Sequence, residues 1–553
     1  MENKNLLLAV ALSLLILFGW GRFAEYMGWV TPPPVSQESS APAQEAPRTP
    51  VEAQVAAPAF TPSPGRDFAV STPLYDAIFY TGGGTLRSFA LKNYHEGILA
   101  DSALINMVDG RTAKVAPLGL VVNSQPSWST GQWQLETEGE RLDVAAGSSG
   151  SFVLNGEVDG LRVRRHFTIE GDTYLIREKV AVFNEGRQPR SVRLTFTQAM
   201  DSSLVSGGQY DSMRIAWDNN GSLDDESSSK TLASTGVQAA GKIYWAGPMN
   251  TYFLAAAIPG KPDGVTVKGR VADTVWRVGV EAEEIYLAPG QSAEMDFSYW
   301  TGPKDRAQLL AVSDQLAKSI DLGFFSIIAK GLLWLLEFFQ KYVHNWGVAI
   351  ILLTVVIKIV FWPLTDKSYA SMEKMKKLQP MMKAIQEKYK GNREEMNKEV
   401  MALYKTYGVN PASGCVPILI QLPVFFGLYQ ALLTSLALRH ASFITYFPGT
   451  DVIWLADLSA KDPLYITPIV MGLTMFLQQR MSPPPAEPMQ RKIMMFLPLI
   501  FTVLFINFPS GLVLYWLVNN VLSILQQWLI MRKHSRSQGP KGGADAPKAV
   551  QGN

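Results

Sequence analysis

Apolar runs of membrane-spanning length recur along this chain of 553 residues, separated by polar stretches. The clearest run extends from Asn345 to Pro363 and is apolar except for Thr354 and Lys358. Its length approaches the ~20 residues that cross a hydrocarbon core about 30 Å thick. Similar runs predict spans over residues 1–24, 343–364, 413–438, 463–479, 493–508 and 510–531. The pattern therefore predicts a polytopic α-helical membrane protein with six spans.

Lys358 is the one formal charge inside the clearest run. An ammonium group inside a bilayer costs about 2.5–3.5 kcal/mol on the lenient insertion scale. At a rise of about 1.5 Å per residue, Lys358 lies only ~8 Å from the end at Pro363. It either snorkels to the nearer interface or lies in a hydrated cavity among helices, with Thr354 one turn earlier on the same face.

The chain between the first two predicted spans has a different pattern. The span over 1–24 lacks a convincing cleavage site, which favours an uncleaved signal anchor over a signal peptide. Residues 25–65 are rich in Pro, Ala, Ser, Glu and Gln, and this composition predicts a disordered linker. Over 66–306, runs such as LRVRRHFTIE and YLIREKVAVF alternate apolar and polar residues, which predicts a large all-β antiparallel sandwich domain. A sugar-binding or sugar-isomerising site there is an alternative, but fold alone does not confer function.

Residues 307–342 form a connector that ends in an amphipathic stretch. Ser326, Lys330, Glu337 and Lys341 recur at helical spacing on one face, and Phe, Leu, Ile and Trp fill the opposite face. This arrangement predicts a helix that lies in the membrane interface and does not cross it.

Residues 365–412 are polar and helical, with a break at Gly391–Asn392, and they predict an αα-hairpin. Its surface combines many lysines with methionines, and methionine-rich faces often bind diverse partners. The alternative is a hairpin that packs only on itself. The candidate contact residues are Met372, Met375, Lys376, Lys377, Met381 and Met382.

The distribution of cations predicts the orientation. The hairpin, the loop 480–492 and the tail 532–553 are rich in Lys and Arg, whereas the loop 439–462 carries Asp451 and Asp457 and few cations. Cation-rich loops stay in the cytoplasm. The pattern therefore predicts cytoplasmic N- and C-termini and a β-domain on the outer side.

Polar side chains recur at helical spacing inside several of the predicted spans. The polar side chains on one span alone would indicate interhelical hydrogen bonds, each worth about 0.6 kcal/mol. Taken together, the polar faces of several spans predict a hydrated groove open to the cytoplasm. Such a groove would shorten the apolar distance that a polar segment must cross in a bilayer. The candidate groove residues are Lys358, Thr354, Gln421, Gln430, Thr474, Gln478, Tyr515, Asn519 and Ser523.

The remaining composition argues against several kinds of chemistry. A single cysteine, Cys415, and five scattered histidines provide neither an intramolecular disulfide nor an obvious metal cluster. The sequence contains no phosphate-binding loop of the GxxxxGK[ST] kind and no nucleophile–base pair. We therefore expect no cofactor and no enzymatic activity. A transporter is the main rival, but it would need paired acids or inverted repeats.

Several motifs, among them WPLTDKSYASMEKMKKLQP, ALYKTYGVNPASGCVPILIQLPVF and FPSGLVLYWLVNN, resemble those of the YidC-type membrane protein insertases of Gram-negative bacteria. The resemblance implies an inner-membrane insertase and chaperone that acts alone or beside the Sec translocon, with a five-helix core in the membrane and a β-domain in the periplasm. It implies that nascent membrane proteins, the lipid bilayer and the Sec translocon are partners, with the ribosome and signal-recognition machinery contacting the hairpin and tail.

The resemblance also assigns roles to individual positions. The groove cation of the family is usually Arg, and the matching residue is Lys358, which keeps the charge but loses the bidentate fork. Thr354 matches a groove-lining position. Tyr515 and Trp516 match an aromatic region that contacts clients.

Overall fold

The computed structural model describes residues 64–537, apart from residues 100, 131, 138, 205–211, 410–415 and 482–487. The predicted span over 1–24, the predicted linker up to residue 63 and the tail beyond residue 537 lie outside the described residues. So do the end of the predicted hairpin, the start of the predicted span over 413–438 and residues 482–487 of the predicted loop 480–492.

Strands fill most of the chain between residues 67 and 303, as the alternating pattern predicted. Successive residues of a strand point to opposite faces, so the apolar set of each strand can enter one core. The strands are β1 (Asp67–Ser71), β2 (Tyr75–Tyr80), β3 (Thr85–His95), β4 (Leu104–Asn106), β5 (Leu120–Val122), β6 (Gln125–Pro126), β7 (Gln132–Leu135), β8 (Arg141–Asp143), β9 (Ser149–Val158), β10 (Leu161–Glu170), β11 (Leu175–Phe183), β12 (Arg190–Val192), β13 (Leu194–Asp201), β14 (Arg214–Asn219), β15 (Ser222–Glu226), β16 (Val237–Gly241), β17 (Ile243–Met249), β18 (Phe253–Pro259), β19 (Val265–Ala272), β20 (Val275–Glu281), β21 (Ile285–Leu287) and β22 (Ser292–Pro303).

Two large sheets and a smaller one build this β-domain. The order in the nine-stranded sheet is β15-β14-β17-β18-β22-β11-β10-β9-β7, and in the six-stranded sheet it is β16-β19-β20-β13-β5-β6. A five-stranded sheet has the order β4-β3-β2-β1-β8, and β12 pairs with β21. One hydrophobic core contains side chains from all three larger sheets. The large all-β domain is therefore confirmed.

Helices dominate the rest of the described chain. They are α1 (Ser127–Thr130), α2 (Ser229–Ser234), α3 (Arg306–Val312), α4 (Asp314–Ala317), α5 (Ser326–Val343), α6 (Trp346–Lys388), α7 (Arg393–Thr406), α8 (Val416–Thr434), α9 (Ile466–Met481), α10 (Pro488–Phe505) and α11 (Ser510–Ser537). A short ribbon of β23 (Ile444–Tyr446) and β24 (Ile453–Leu455) lies between α8 and α9.

Helix α6 differs from the sequence-based prediction. The sequence separated a span over 343–364 from a hairpin over 365–412, but one helix runs from Trp346 to Lys388 with Pro363 and Pro380 inside it. The helix stops before the turn at Gly391, whose φ of 116° favours glycine. The Asn392 side chain then accepts a hydrogen bond from the Glu395 backbone N–H and caps α7.

The apolar helices support a membrane protein. Fewer helices of spanning length are described than the six spans that the sequence predicted. Among the described residues, α6 and the 510–530 part of α11 are long and apolar enough to cross a bilayer, and Ile420–Thr434 and Met494–Phe505 form shorter apolar helices. A helical region with apolar helices is confirmed, and the count of six spans stays a prediction.

Helix α5 has three faces, whereas the sequence predicted two. Ala329 and Leu336 are buried, and Lys330 is exposed on the predicted polar face. A further apolar stripe is exposed, with Ile327 at 86% and Trp334 at 66% exposure. The apolar residues of this amphipathic helix therefore serve both packing and an outward surface.

Candidate functional site

Lys358 joins α6 and α11, which among the described helices are the two long enough to cross a membrane. Its ammonium on α6 donates a hydrogen bond to the Ser523 hydroxyl on α11, with Nζ and Oγ 2.6 Å apart. The Ser523 hydroxyl in turn donates to the Asn519 carbonyl oxygen one turn earlier, at 2.7 Å. The structure thus brings three of the predicted groove residues together at one place.

Tyr369 extends this cluster, and sequence reasoning missed it. Its hydroxyl forms hydrogen bonds with Ser523 and Gln478. Lys358 and Tyr369 are eleven positions apart on a single helix, which is close to three full turns, so both side chains point the same way. The sequence signal was present, but the predicted boundary at residue 364 assigned Tyr369 to a separate hairpin.

Further polar contacts connect α11 to the neighbouring helices α6, α8 and α9. The Gln526 amide of α11 donates to the Thr365 hydroxyl of α6 at 2.7 Å. The Gln421 amide of α8 donates to the Tyr515 hydroxyl at 3.2 Å. Asn520 contacts the Thr474 hydroxyl of α9 at 3.4 Å. Polar side chains from α6, α8, α9 and α11 therefore face one another within the apolar helical region.

Two predicted groove residues, Thr354 and Gln430, and the predicted client-contact residue Trp516 make other contacts. The Thr354 hydroxyl is buried and donates to the Ile350 carbonyl oxygen of its own helix at 2.6 Å. Gln430 lies beside the connector, where a Cβ added at Gly323 would come within 3.0 Å of its Nε2. Trp516 packs edge-on against Phe425 with ring centroids 5.0 Å apart. These contacts give Trp516 and Gln430 packing roles apart from the lysine.

Helices α6 and α11 run parallel, and their contacts advance together along both helices. Lys358 meets Ser523, and Thr365 meets Gln526. Met372 lies in one buried cluster with Tyr369 and Ile530. The C-terminal ends of α6 and α11 therefore point toward the same side of the helical region.

The charge of Lys358 is not neutralised within the described residues. Its side chain is half-buried, and its one described polar partner is the neutral Ser523 hydroxyl. None of the ion pairs among the described residues includes Lys358. A cation in low-dielectric surroundings attracts an acidic group more strongly than it would in water. The site can therefore hold a carboxylate that enters from outside the protein.

The candidate contact residues of the hairpin divide into two groups. Met375 and Met382 pack in a small core of α6 and α7, and Met372 is also buried. The Tyr404 hydroxyl contacts Met382 Sδ at 3.4 Å. The exposed residues are Lys376, Lys377 and Met381. Much of the methionine surface thus stabilises the hairpin itself.

Known proteins match the described chain almost from end to end. Residues 67–335 match the family described as the YidC periplasmic domain, and residues 338–537 match the 60Kd inner membrane protein family. These two descriptions agree with the predicted inner-membrane protein that has a periplasmic domain.

Curated relatives give the same result over full length. The membrane protein insertase YidC of Nitratidesulfovibrio vulgaris strain Hildenborough is 53% identical over 538 residues, which cover 96% of this chain and 100% of the relative. Those of Lawsonia intracellularis and Geobacter metallireducens are 46% and 38% identical, and each alignment covers at least 95% of both chains. Among solved structures, a galactose mutarotase-like protein from Lactobacillus casei overlaps 42% of this chain and 99% of its own length at 11% identity, with a TM-score of 0.31. The curated relatives are named as insertases and not as enzymes, in agreement with the prediction from the sequence. The chain therefore belongs to the YidC family of membrane protein insertases.

Proposed function

We propose that this protein inserts membrane proteins into the bacterial inner membrane through a polar groove between α6, α9 and α11. Lys358 is the cation of this groove and attracts acidic residues of a client segment. The observation that supports the proposal is the Lys358–Ser523 contact, which places a cation without a described carboxylate partner between two membrane-length helices.

The energetic reason for such a groove is desolvation. A polar segment that enters lipid loses its hydrogen bonds to water, at a cost of several kcal/mol for each unsatisfied group. Lys358 and Gln478, which are both partly exposed, provide hydrogen-bond partners and would keep water nearby. A client crosses a shorter apolar distance when the groove covers part of the path.

Apolar surface beside the groove provides an exit into lipid. Leu473 and Leu477 of α9 and Leu499 and Val503 of α10 are all exposed. Exposed apolar stripes of this kind are stable only against an apolar medium. A hydrophobic client segment can therefore leave the groove sideways along α9 and α10.

The orientation of the chain follows from the same features. The cation-rich hairpin and the parallel C-terminal ends of α6 and α11 support a cytoplasmic location for both the hairpin and the C-terminal tail. The groove then opens toward the cytoplasm, where clients are synthesised. The family resemblance supports the Sec translocon, the ribosome and the signal-recognition machinery as partners, with the N-terminus also cytoplasmic.

Insertion of a single-span client with an acidic outer tail into vesicles that contain only this purified protein tests the proposal. We expect insertion that needs the protein but no nucleotide. Two unit charges about 8 Å apart interact by about 2 kcal/mol at an effective dielectric constant of about 20. Lys358→Ala should therefore lower the insertion rate by at least about tenfold.

Lys374→Ala is the matched control, because it removes an exposed cation from the same helix. The control should insert clients like the wild type. Equal rates for Lys358→Ala and Lys374→Ala would refute a role for the groove cation. Vesicles in which the wild type inserts no client would refute autonomous insertion.

A further inference from the structure

The β-domain contains a cavity of about 350 Å³ that is separate from the groove. It lies on the outer face of the six-stranded sheet, over the central strands β13, β19 and β20. Its volume falls at the lower end of the range of about 300–1,000 Å³ that small-molecule sites occupy. The cavity is therefore large enough for a small molecule and too small for a protein segment.

Strand register explains why a depression forms at this place. Gly279 of β20 stands opposite Thr197 of β13 and Lys268 of β19. It leaves the centre of the floor without a side chain, and an added Cβ would come within 3.0 Å of Thr195 Cγ2. Arg193 and Glu284, whose side chains are longer than those of Gly279 and the threonines, line the edge of this depression.

The residues of the floor are unusually buried for the outward face of a sheet. Thr197 is 3% exposed, Lys268 is 9% exposed and Glu281 is 8% exposed. Charged groups are seldom buried to this degree unless they are paired. The Lys268 ammonium meets this requirement by donating to Glu281 Oε2 at 2.9 Å.

The charges that line the cavity favour an anion. Three cations, Arg193, Lys268 and Arg277, face two carboxylates, Glu281 and Glu284, which leaves one formal positive charge in excess. Arg193 pairs with Glu284 at 3.2 Å. Burial lowers the pKa of Arg277 to about 10, so its guanidinium still carries a proton at neutral pH. A guanidinium fork suits a carboxylate or phosphate group.

The uncharged part of the lining favours hydroxyl groups on the ligand. Ser124, Ser191 and Thr195 contribute hydroxyls, and Val121 is the one apolar side chain of the lining. No aromatic ring is present among the lining residues. A hydrophobic client segment would therefore lose solvation there without gaining apolar contacts.

We propose that this cavity binds a small hydrophilic molecule with one acidic group beside several hydroxyl groups, such as a hexuronate or a hexose phosphate. The acidic group lies against Arg277 and Lys268 on the floor. The hydroxyl groups form hydrogen bonds with the serine and threonine side chains and with the Glu281 and Glu284 carboxylates. The ligand is bound in the β-domain, and the site does not depend on the proposed groove.

Calorimetric titration of the full-length protein in nanodiscs tests this proposal with four probes: glucuronate, glucose 6-phosphate, glucose and inorganic phosphate. We expect both acidic sugars to bind at least about tenfold more tightly than glucose, because charge-assisted hydrogen bonds are the stronger ones. Phosphate should bind more weakly than glucose 6-phosphate, since it lacks the sugar hydroxyls. Binding of one acidic sugar alone would identify a carboxylate or a phosphate as the acidic group.

Two variants and a control make the result specific. Arg277→Gln removes one of the two cations of the floor and should abolish binding of the acidic sugars. Ser191→Trp, at an exposed strand position in the lining, should block the cavity while thermal unfolding stays unchanged, and it tests the site even if Arg277→Gln fails to fold. Arg141→Gln removes an exposed cation elsewhere in the domain and should bind like the wild type. No heat from any probe, or unchanged binding in Ser191→Trp, would overturn the proposal.

Discussion

The Lys358 ammonium lies 2.6 Å from the Ser523 hydroxyl, and this contact joins α6 to α11. The partner is a neutral group, so it orients the lysine without cancelling its charge. A carboxylate in place of Ser523 would form a closed ion pair and leave little attraction for a client. The geometry therefore combines a fixed position with an available charge.

Arginine should replace this lysine with little loss. Lys358→Arg keeps the charge and changes only hydrogen-bond geometry, worth about 0.5–1.5 kcal/mol, so we expect less than about a tenfold fall in insertion rate. Lys358→Glu reverses the charge and should abolish insertion of clients with acidic tails. Vesicle insertion assays measure both. Normal insertion by Lys358→Glu would contradict the electrostatic argument.

The Gln526–Thr365 contact should stabilise the helical region. Thr365→Val leaves the Gln526 amide N–H buried without its described acceptor, which costs about 1–3 kcal/mol. Gln526→Leu should cost less, because the Thr365 hydroxyl also contacts the Phe361 carbonyl oxygen at 3.0 Å. Thermal unfolding in detergent compares the two variants. A lower melting temperature for Gln526→Leu than for Thr365→Val would disprove this order.

Loss of one partner of the buried Arg165–Glu178 pair should strongly destabilise the β-domain. Both side chains are fully buried and hydrogen-bonded to each other, and the Tyr299 hydroxyl donates to Glu178 at 2.8 Å. Glu178→Ala leaves an uncompensated buried cation, which costs about 3–5 kcal/mol. Denaturant unfolding of the full-length protein measures this loss.

The matched control removes a carboxylate from an exposed pair in the same sheet. Glu170 pairs with Arg177 at the surface, and Glu170→Ala should cost less than about 1 kcal/mol. Similar losses for Glu178→Ala and Glu170→Ala would show that burial does not govern the energy of these pairs.

Asp109 should make the β-domain sensitive to acid. Burial acts to raise the pKa of Asp109, but hydrogen bonds from Thr112 and the nearby Arg111 guanidinium outweigh it and place the pKa below its ordinary value. A lowered folded pKa adds stability above the unfolded value of about 3.9, and this contribution disappears as the pH falls through the folded pKa. The stability gap between the wild type and Asp109→Asn should therefore shrink from about pH 7 to about pH 3.

Denaturant unfolding at the two pH values measures that gap. Asp263→Asn, at an exposed turn position, is the control and should have a small effect at both. A gap for Asp109→Asn that widens in acid would contradict the sign of the pKa shift.

The sequence determined most of the architecture, because each element carries its own periodicity. Alternation in LRVRRHFTIE predicted the strand that is β10, and the polar spacing on α11 predicted that Asn519 and Ser523 share a face. It also singled out Lys358 as the unusual charge. These features depend on residues a few positions apart, where backbone geometry alone fixes which side chains are neighbours.

The tertiary structure decided which residues meet across elements. It joined the predicted span and hairpin into the single helix α6, and so brought Tyr369 to Ser523. It also packed Gln430 and Trp516 against residues away from Lys358. In the β-domain it brought Arg193, Lys268 and Arg277 together around Gly279. A local sequence pattern does not determine which other segment a helix or strand face packs against. That choice depends on packing and hydrogen bonding between segments far apart in the chain.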